Sequence, residues 1–375
     1  MSKHIARWAF VLSLGCKAAA AADIVLTEIL PLTGAIAPNA QGIMIGTKAY
    51  IDSVNAAGGV HGNRIVLDTQ DDQYRPDETL RLARKSIADE HPLALINLMG
   101  ATGVEVVMKS GELEKNRIPL IGARSGSQTL RDPVNSFVFH TYAGYWDEVD
   151  RIVELFNSTG TTRFALVYQD DLFGRDGLGG MQAALKKRGL ELVAAATFPR
   201  GTTEIGAAGE KVLQANPQAV ILYMTSAPAA EFLKRFREKM PGVHLAGIST
   251  IDAATLVKLA GTQLARGLVL AQNMPSPSKS SVAFVREHRS LLAKYAPADT
   301  KPNYYTLGGH ATAKVIVEAL KRAGPKPTRE KLMAALEGIR DFDIGGVLYS
   351  YGHGVRVGVR FVDLLIIDGR GEPLT

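Results

Sequence analysis

The sequence almost lacks cysteine: Cys16 is the only one in 375 residues. It falls inside an N-terminal leader, so the chain beyond it has neither a disulfide framework nor a thiol nucleophile, and its stability must come from packing. Long apolar runs are missing as well. The stretch Trp8 to Gly15 is far shorter than the ~20 residues that cross a bilayer, and no later stretch reaches that length without a charge. Charge of one sign is not in excess either. The formal net charge is +6, and loss of Lys3, Arg7 and Lys17 with the leader halves it. Basic and acidic residues alternate along the chain, as where Lys186-Lys187-Arg188 is followed by Glu191, so no cationic stripe marks a nucleic-acid surface. The histidines from His61 to His353 are scattered with no pair at metal-ligand spacing, which leaves no sequence support for a metal site or a cofactor.

What is present begins with the leader. Lys3, His4 and Arg7 precede the short apolar stretch, and the small-residue run Ala18 to Ala22 follows, the order of a secretory signal peptide over residues 1–22. The mature chain is expected to start near Asp23 and to be soluble after export. Ser13-Leu14-Gly15-Cys16 offers a competing lipidation box, weakened by Ser where Leu is expected. At 46% hydrophobic residues, the remaining length exceeds what one core usually supports, and two domains are expected.

Short Val/Ile/Leu-rich runs alternate with segments of helical spacing. Ile24 to Leu30 precedes a helix over Gly42 to Ala57, Arg64 to Thr69 precedes Pro76 to Asp89, and Ala94 to Leu98 precedes Thr102 to Asn116. A second series starts at Arg163 to Tyr168, with its helix at Gly174 to Arg188. It continues through Glu191 to Phe198, Ala219 to Met224, His244 to Gly247 and Gly267 to Ala271. Such alternation predicts two α/β lobes, each a doubly wound parallel sheet covered by helices. The Pro/Ser stretch Asn273 to Ser278 reads as a connector. Long helices follow over Ser280 to Tyr295 and Tyr304 to Ala323, Thr328 caps another, and Val359 to Asp368 is the last strand.

Several phrases then carry a resemblance. Pro31-Leu32-Thr33-Gly34, the run Val54 to Gly62, Asp71-Asp72, Ile118 to Gly122, Tyr168 to Gly174 and Glu318 to Gly324 together span nearly the whole mature chain. The chain resembles the leucine/isoleucine/valine-binding protein family. That resemblance implies a type I periplasmic-binding fold with three hinge crossovers near Tyr142, Asn273 and Tyr349. One lobe would comprise residues 23–142 and 274–349, the other 143–273 and 350–375, with a ligand cleft between them. It also implies a monomer in the periplasm that binds a small carboxylate-bearing solute and hands it to the permease subunits of an ABC importer in the inner membrane.

Ligands of open parallel sheets sit beyond the carboxyl ends of the strands, where helix N-termini favour anions. In the family such loops hold the ligand carboxylate, and the counterparts here are Gly100, Ala101 and Thr102 in one loop and Arg124, Ser125, Gly126 and Ser127 in another. Thr102 and Ser127 could equally be helix caps. The resemblance places Phe173 over the ligand from the second lobe, and Tyr145, just past the first crossover, faces either the cleft or the core. Two positions depart from the amino-acid binders: Ser249 stands where an acidic residue takes the ligand ammonium, and Ser226 where a Tyr is expected. Because an unpaired buried ammonium is costly, the loss of the acid favours an organic or aromatic acid over a free amino acid, unless nearby Asp252 supplies the charge.

Catalysis has little to stand on. Gly177-Leu178-Gly179-Gly180 lacks the G-x-G-x-x-G spacing, Gly122 to Gly126 is not a G-x-S-x-G elbow, and the carboxylate pairs Asp71-Asp72 and Asp170-Asp171 need not converge on one substrate. The remaining alternative is a periplasmic sensor of the same fold that reports to a receptor or regulator.

Overall fold

The computed structural model describes residues 23–34 and 36–374. The expected leader, with Cys16 and the lipidation alternative, lies outside the described residues. Strands β1 (Ile24–Leu30), β2 (Ile65–Asp71), β3 (Ala94–Ile96), β4 (Leu120–Ile121) and β5 (Val138–Phe139) form one sheet in the order β2-β1-β3-β4-β5, all parallel. Strands β6 (Phe164–Asp170), β7 (Leu192–Pro199), β8 (Ala219–Tyr223), β9 (His244–Gly247) and β10 (Val269–Gln272) repeat that order as β7-β6-β8-β9-β10, again parallel. After the small hairpin of β11 (Phe342–Asp343) and β12 (Leu348–Tyr349), β13 (Asp363–Ile367) and β14 (Pro373–Leu374) extend the second sheet antiparallel beyond β10. This is the type I periplasmic-binding fold.

Local sequence explains most of the elements. Strand β1 is almost wholly buried on both faces and apolar except at Thr27 and Glu28, as a central parallel strand covered by helices requires. Helix Pro76–Asp89 has Pro at its start and Asp77 and Glu78 in its first turn, where they complement the positive end of the helix dipole. Asp171 caps Leu172–Lys186 through Gly174 N, Thr328 caps Arg329–Glu337 through Lys331 N, and Asn303 forms a capping box with Thr306 at the head of Tyr304–Ala323. The continuous helix expected over 102–116 is instead two, Ala101–Lys109 and Glu112–Lys115, because Gly111 between them adopts a left-handed φ of 74°.

Helices Ala37–Ala56 and Tyr304–Ala323 cross at contact distance through glycine. A Cβ on Gly46 would lie 1.9 Å from Thr306 O, and one on Gly309 would lie 2.1 Å from Ile43 O. That crossing fixes the late helix to the first sheet and brings Tyr304 and Tyr305 to its edge. Gly177 performs a similar service in the second lobe, where a Cβ would meet the Tyr223 ring at 2.6 Å.

The chain passes from the first sheet to the second after β5 and returns after β10 through the irregular segment from Asn273. The last passage is longer than a step at Tyr349: His140 N donates to Arg356 O and Gly358 N to His140 O, so the chain stays against the first lobe until Gly358. Among the described residues no helix is long and apolar enough to cross a membrane.

Candidate ligand-binding site

A cavity lies between the two sheets, with about 680 Å³ of empty space, its open mouth included. It is built from strand ends: Met99, Gly100 and Ala101 follow β3, Arg124 and Ser125 follow β4, Phe173 follows β6, Thr225 follows β8, Ser249 and Thr250 follow β9, and Gln272 closes β10. Tyr74, Tyr142, Tyr145, Tyr304 and Tyr305 add an aromatic wall. The order of both sheets reverses at their first strands, so this is the crevice where open α/β sheets receive ligands.

Bonds between the lobes hold the crevice shut. Gln128 N donates to Asp176 Oδ1 at 2.8 Å, Arg200 Nη2 to Tyr74 O at 3.1 Å, and Tyr305 Oη to Thr250 O at 3.0 Å. The Arg200 guanidinium also stacks 4.2 Å from the Tyr74 ring centre. Asp176 is pushed up to about 6 by burial.

Arg124 is the only charged side chain among the described residues that line the cavity. Its guanidinium carbon lies 4.4 Å from the Tyr142 ring centre, and among the described residues it makes no ion pair and its buried Nη1 has no hydrogen-bond partner. No side chain caps the helix Ala101–Lys109, so its first-turn N–H groups remain for a ligand beside Gly100 and Ala101. Cation and open helix start together form a place for an anion.

Gly100, Ala101, Arg124, Ser125, Tyr145, Phe173 and Ser249 line the cavity; Thr102, Gly126, Ser127 and Ser226 do not. Each of these four has a physical reason for standing aside. Gly126 lies under the Tyr145 ring, where a Cβ would come within 2.5 Å, and its carbonyl accepts from Tyr145 N. Ser127 is fully buried and bonds back to Ser125, while Gln128 N, next in the chain, is taken by Asp176 rather than left for a ligand. Ser226 Oγ accepts from Asp252 N at 2.9 Å. Thr102 sits one residue into its helix, its hydroxyl buried without a partner. Tyr145 faces cavity and core at once, edge-on to Phe173 at 5.5 Å and to Tyr223 at 5.8 Å.

Behind position 249 stands an acid that the loops do not reveal. Glu148, fully buried on helix Tyr145–Ser158, accepts from Ser249 N at 2.8 Å, Ser249 Oγ at 2.7 Å and Asn273 Nδ2 at 3.3 Å. Burial pushes its carboxyl up to about 7 against these bonds. It stands behind Ser249, outside the lining, and its oxygens are engaged. The sequence signal was an acid on an apolar helix face, three residues after Tyr145 and four before Ile152. Asp252 is not among the lining residues, and its carboxylate caps helix Ala253–Ala260 through Thr255 N at 2.8 Å.

The other carboxylates are local fastenings. Asp71 accepts from Leu32 N, Thr33 Oγ1 and Gln73 N, and Asp72 from Tyr74 N and Thr79 Oγ1. Among the described residues no cluster of three or more metal-ligating side chains occurs. Two histidines distant in sequence do meet: His288 and His310 place their Nδ1 atoms 3.2 Å apart, and burial lowers both well below the usual range, so both are neutral.

Comparison with known proteins agrees with this architecture. The profile of the periplasmic binding protein family matches residues 27–354. A Leu/Ile/Val-binding protein homologue of Brucella melitensis is 22% identical over 351 residues, covering 93% of both chains. A substrate-binding periplasmic protein from Ralstonia solanacearum is 34% identical with a TM-score of 0.89, over 94% of this chain and 99% of that one. A branched-chain amino acid ABC transporter protein from Thermus thermophilus with bound valine superposes with a TM-score of 0.85 at 21% identity, over 94% and 95% of the two chains. The chain thus belongs to the periplasmic binding protein family, with Leu/Ile/Val-binding proteins among its relatives.

Proposed function

We propose that this protein works in the periplasm as the solute-binding component of an ABC importer, and that its ligand is a small carboxylic acid without an amino group. The observation that carries the ligand reading is the charge inventory of the cavity: one cation, Arg124, with an unsatisfied N–H, and no carboxylate. A ligand carboxylate would pair with Arg124 and the open start of helix Ala101–Lys109, whereas an α-ammonium would be buried without a counter-charge. The aromatic wall suits an aromatic or branched body. The Thermus protein that holds valine is a relative in fold and does not fix the ligand here.

Closure is the working step. The ligand docks on the first lobe, Phe173 and Ser249 reach it from the second, and the bonds at Asp176, Arg200 and Tyr305 come into register as the lobes meet. The closed surface is what permease subunits recognise, and the protein acts as a monomer without chemically changing the solute.

The test is a thermal-shift panel on mature protein refolded to strip carried-over ligand. Aromatic and short-chain acids lacking an amino group should raise the midpoint by mass action, and amino acids should not. If leucine or a relative alone stabilises the protein, the carboxylate-only reading fails.

A further inference from the structure

Arg124 is not the only side chain of the cavity with an idle polar atom. Gln272, 1% exposed at the end of β10, turns its amide nitrogen to Ile251 O at 3.5 Å, the outer limit of a hydrogen bond, and its buried Oε1 has no partner. Tyr304, 7% exposed at the start of helix Tyr304–Ala323, holds its hydroxyl oxygen buried with no bond of hydrogen-bond geometry. The adjacent Ser276 hydroxyl is engaged with Ser278 Oγ at 2.8 Å. Burial keeps the Tyr304 phenol far above its usual range, hence protonated.

Tyr304 is set on its helix one turn away from the cation. The Arg124 guanidinium lies against Gly308, where a Cβ would be 2.9 Å from Nη1 and Nη2, and Gly308 is one turn along the same helix from Tyr304, about 6 Å on its axis. Buried polar atoms are seldom left unsatisfied, and idle ones in a cavity mark what its occupant carries.

We propose, resting on the carboxylate reading above, that the ligand bears a hydroxyl at the end away from its carboxylate, donating to Gln272 Oε1 and accepting from Tyr304 Oη. Gln272 Oε1 requires a donor, and a hydroxyl that donates there still has lone pairs to accept from Tyr304 Oη. An ammonium could donate to Gln272 but would be buried with no carboxylate in the lining to pair with it. The site is therefore one for hydroxycarboxylic acids, and a cavity built to bond a hydroxyl discriminates strongly against the analogue lacking it.

Isothermal titration with matched pairs tests this: benzoate and 4-hydroxybenzoate, 3-phenylpropanoate and 3-(4-hydroxyphenyl)propanoate, pentanoate and 5-hydroxypentanoate. In at least one pair the hydroxylated acid should bind tenfold or more tightly. That advantage should shrink below threefold in Gln272→Leu or, should that variant fold poorly, in Tyr304→Phe. Equal binding within every pair, or an advantage that survives both substitutions, overturns the hydroxyl assignment and leaves the carboxylate reading standing. Should no acid bind at all, the carboxylate reading fails and the hydroxyl assignment falls with it.

Discussion

Replacing Arg124 with Met separates binding from folding. The substitution keeps an unbranched stem of similar reach and removes the guanidinium. Without ligand, two effects oppose each other. The variant loses the contact over the Tyr142 ring, worth on the order of 0.5–2 kcal/mol. It also sheds a buried N–H that has no partner, a burden of about 1–3 kcal/mol. The unfolding midpoint of the empty protein should therefore move by no more than about 3 °C. With a carboxylic acid bound, the balance is one-sided, because removing one partner of a buried charge pair costs roughly 2–5 kcal/mol. The dissociation constant should rise by a factor of about 30 to several thousand. Arg124→Lys should fall between, since an ammonium keeps the charge but not the fork that meets both carboxylate oxygens. Titration calorimetry on the best acid of the panel, beside calorimetric scans of the empty variants, reads both quantities. A folded Met variant that binds within about threefold of wild type would falsify the pairing of Arg124 with the ligand.

Three further outcomes follow from the packing. Phe173→Leu leaves part of the ring cluster with Tyr145 and Tyr223 unfilled, so it should lower the melting midpoint by a few degrees and weaken the acid about five- to tenfold, since a buried side chain of this size is worth roughly 1.5–3 kcal/mol; unaltered affinity in titrations would remove Phe173 from the site. Glu148 holds its proton more tightly folded, at about 7, than its ordinary 4.5, so its contribution is fully present below pH 4.5 and is lost as pH rises through 7. Relative to wild type, Glu148→Gln should thus gain on the order of 3 kcal/mol between pH 4.5 and 7.5, and urea melts at several pH values showing a constant difference would contradict the burial argument. Gly46→Ala forces a methyl onto Thr306 O and should lower stability by about 1–3 kcal/mol or more; an undisturbed urea midpoint would mean that the helix crossing yields freely.

The regular elements were legible because short-range physics writes them. Helix Tyr304–Ala323 and strands Ile24–Leu30 and His244–Gly247 stand where the apolar periodicity sets them, and Thr328 caps where expected. Strand β5 was not legible as a strand, being two residues long and held in the sheet by its neighbour rather than by propensity. Within the candidate site, the loops after β3 and β4 were found because strand ends followed by Gly, Ser and Thr mark where helices begin. Which residues of those loops face the cavity could not be read, since one residue's rotation turns Ser125 toward the space and Ser127 away from it.

The sequence by itself determined the alternation of strands and helices, the two lobes, the scarcity of thiols and the absence of an acid at position 249, all properties of composition and local order. Only the tertiary structure decided that Glu148 stands behind Ser249, that Asp176 of one lobe takes Gln128 N–H of the other, that His288 meets His310, and that Arg124, Gln272 and Tyr304 share one cavity with polar atoms idle. The physical reason is distance along the chain: the partners of Glu148 are 101 and 125 residues away, and no local pattern specifies which side chains two separately wound sheets will press together.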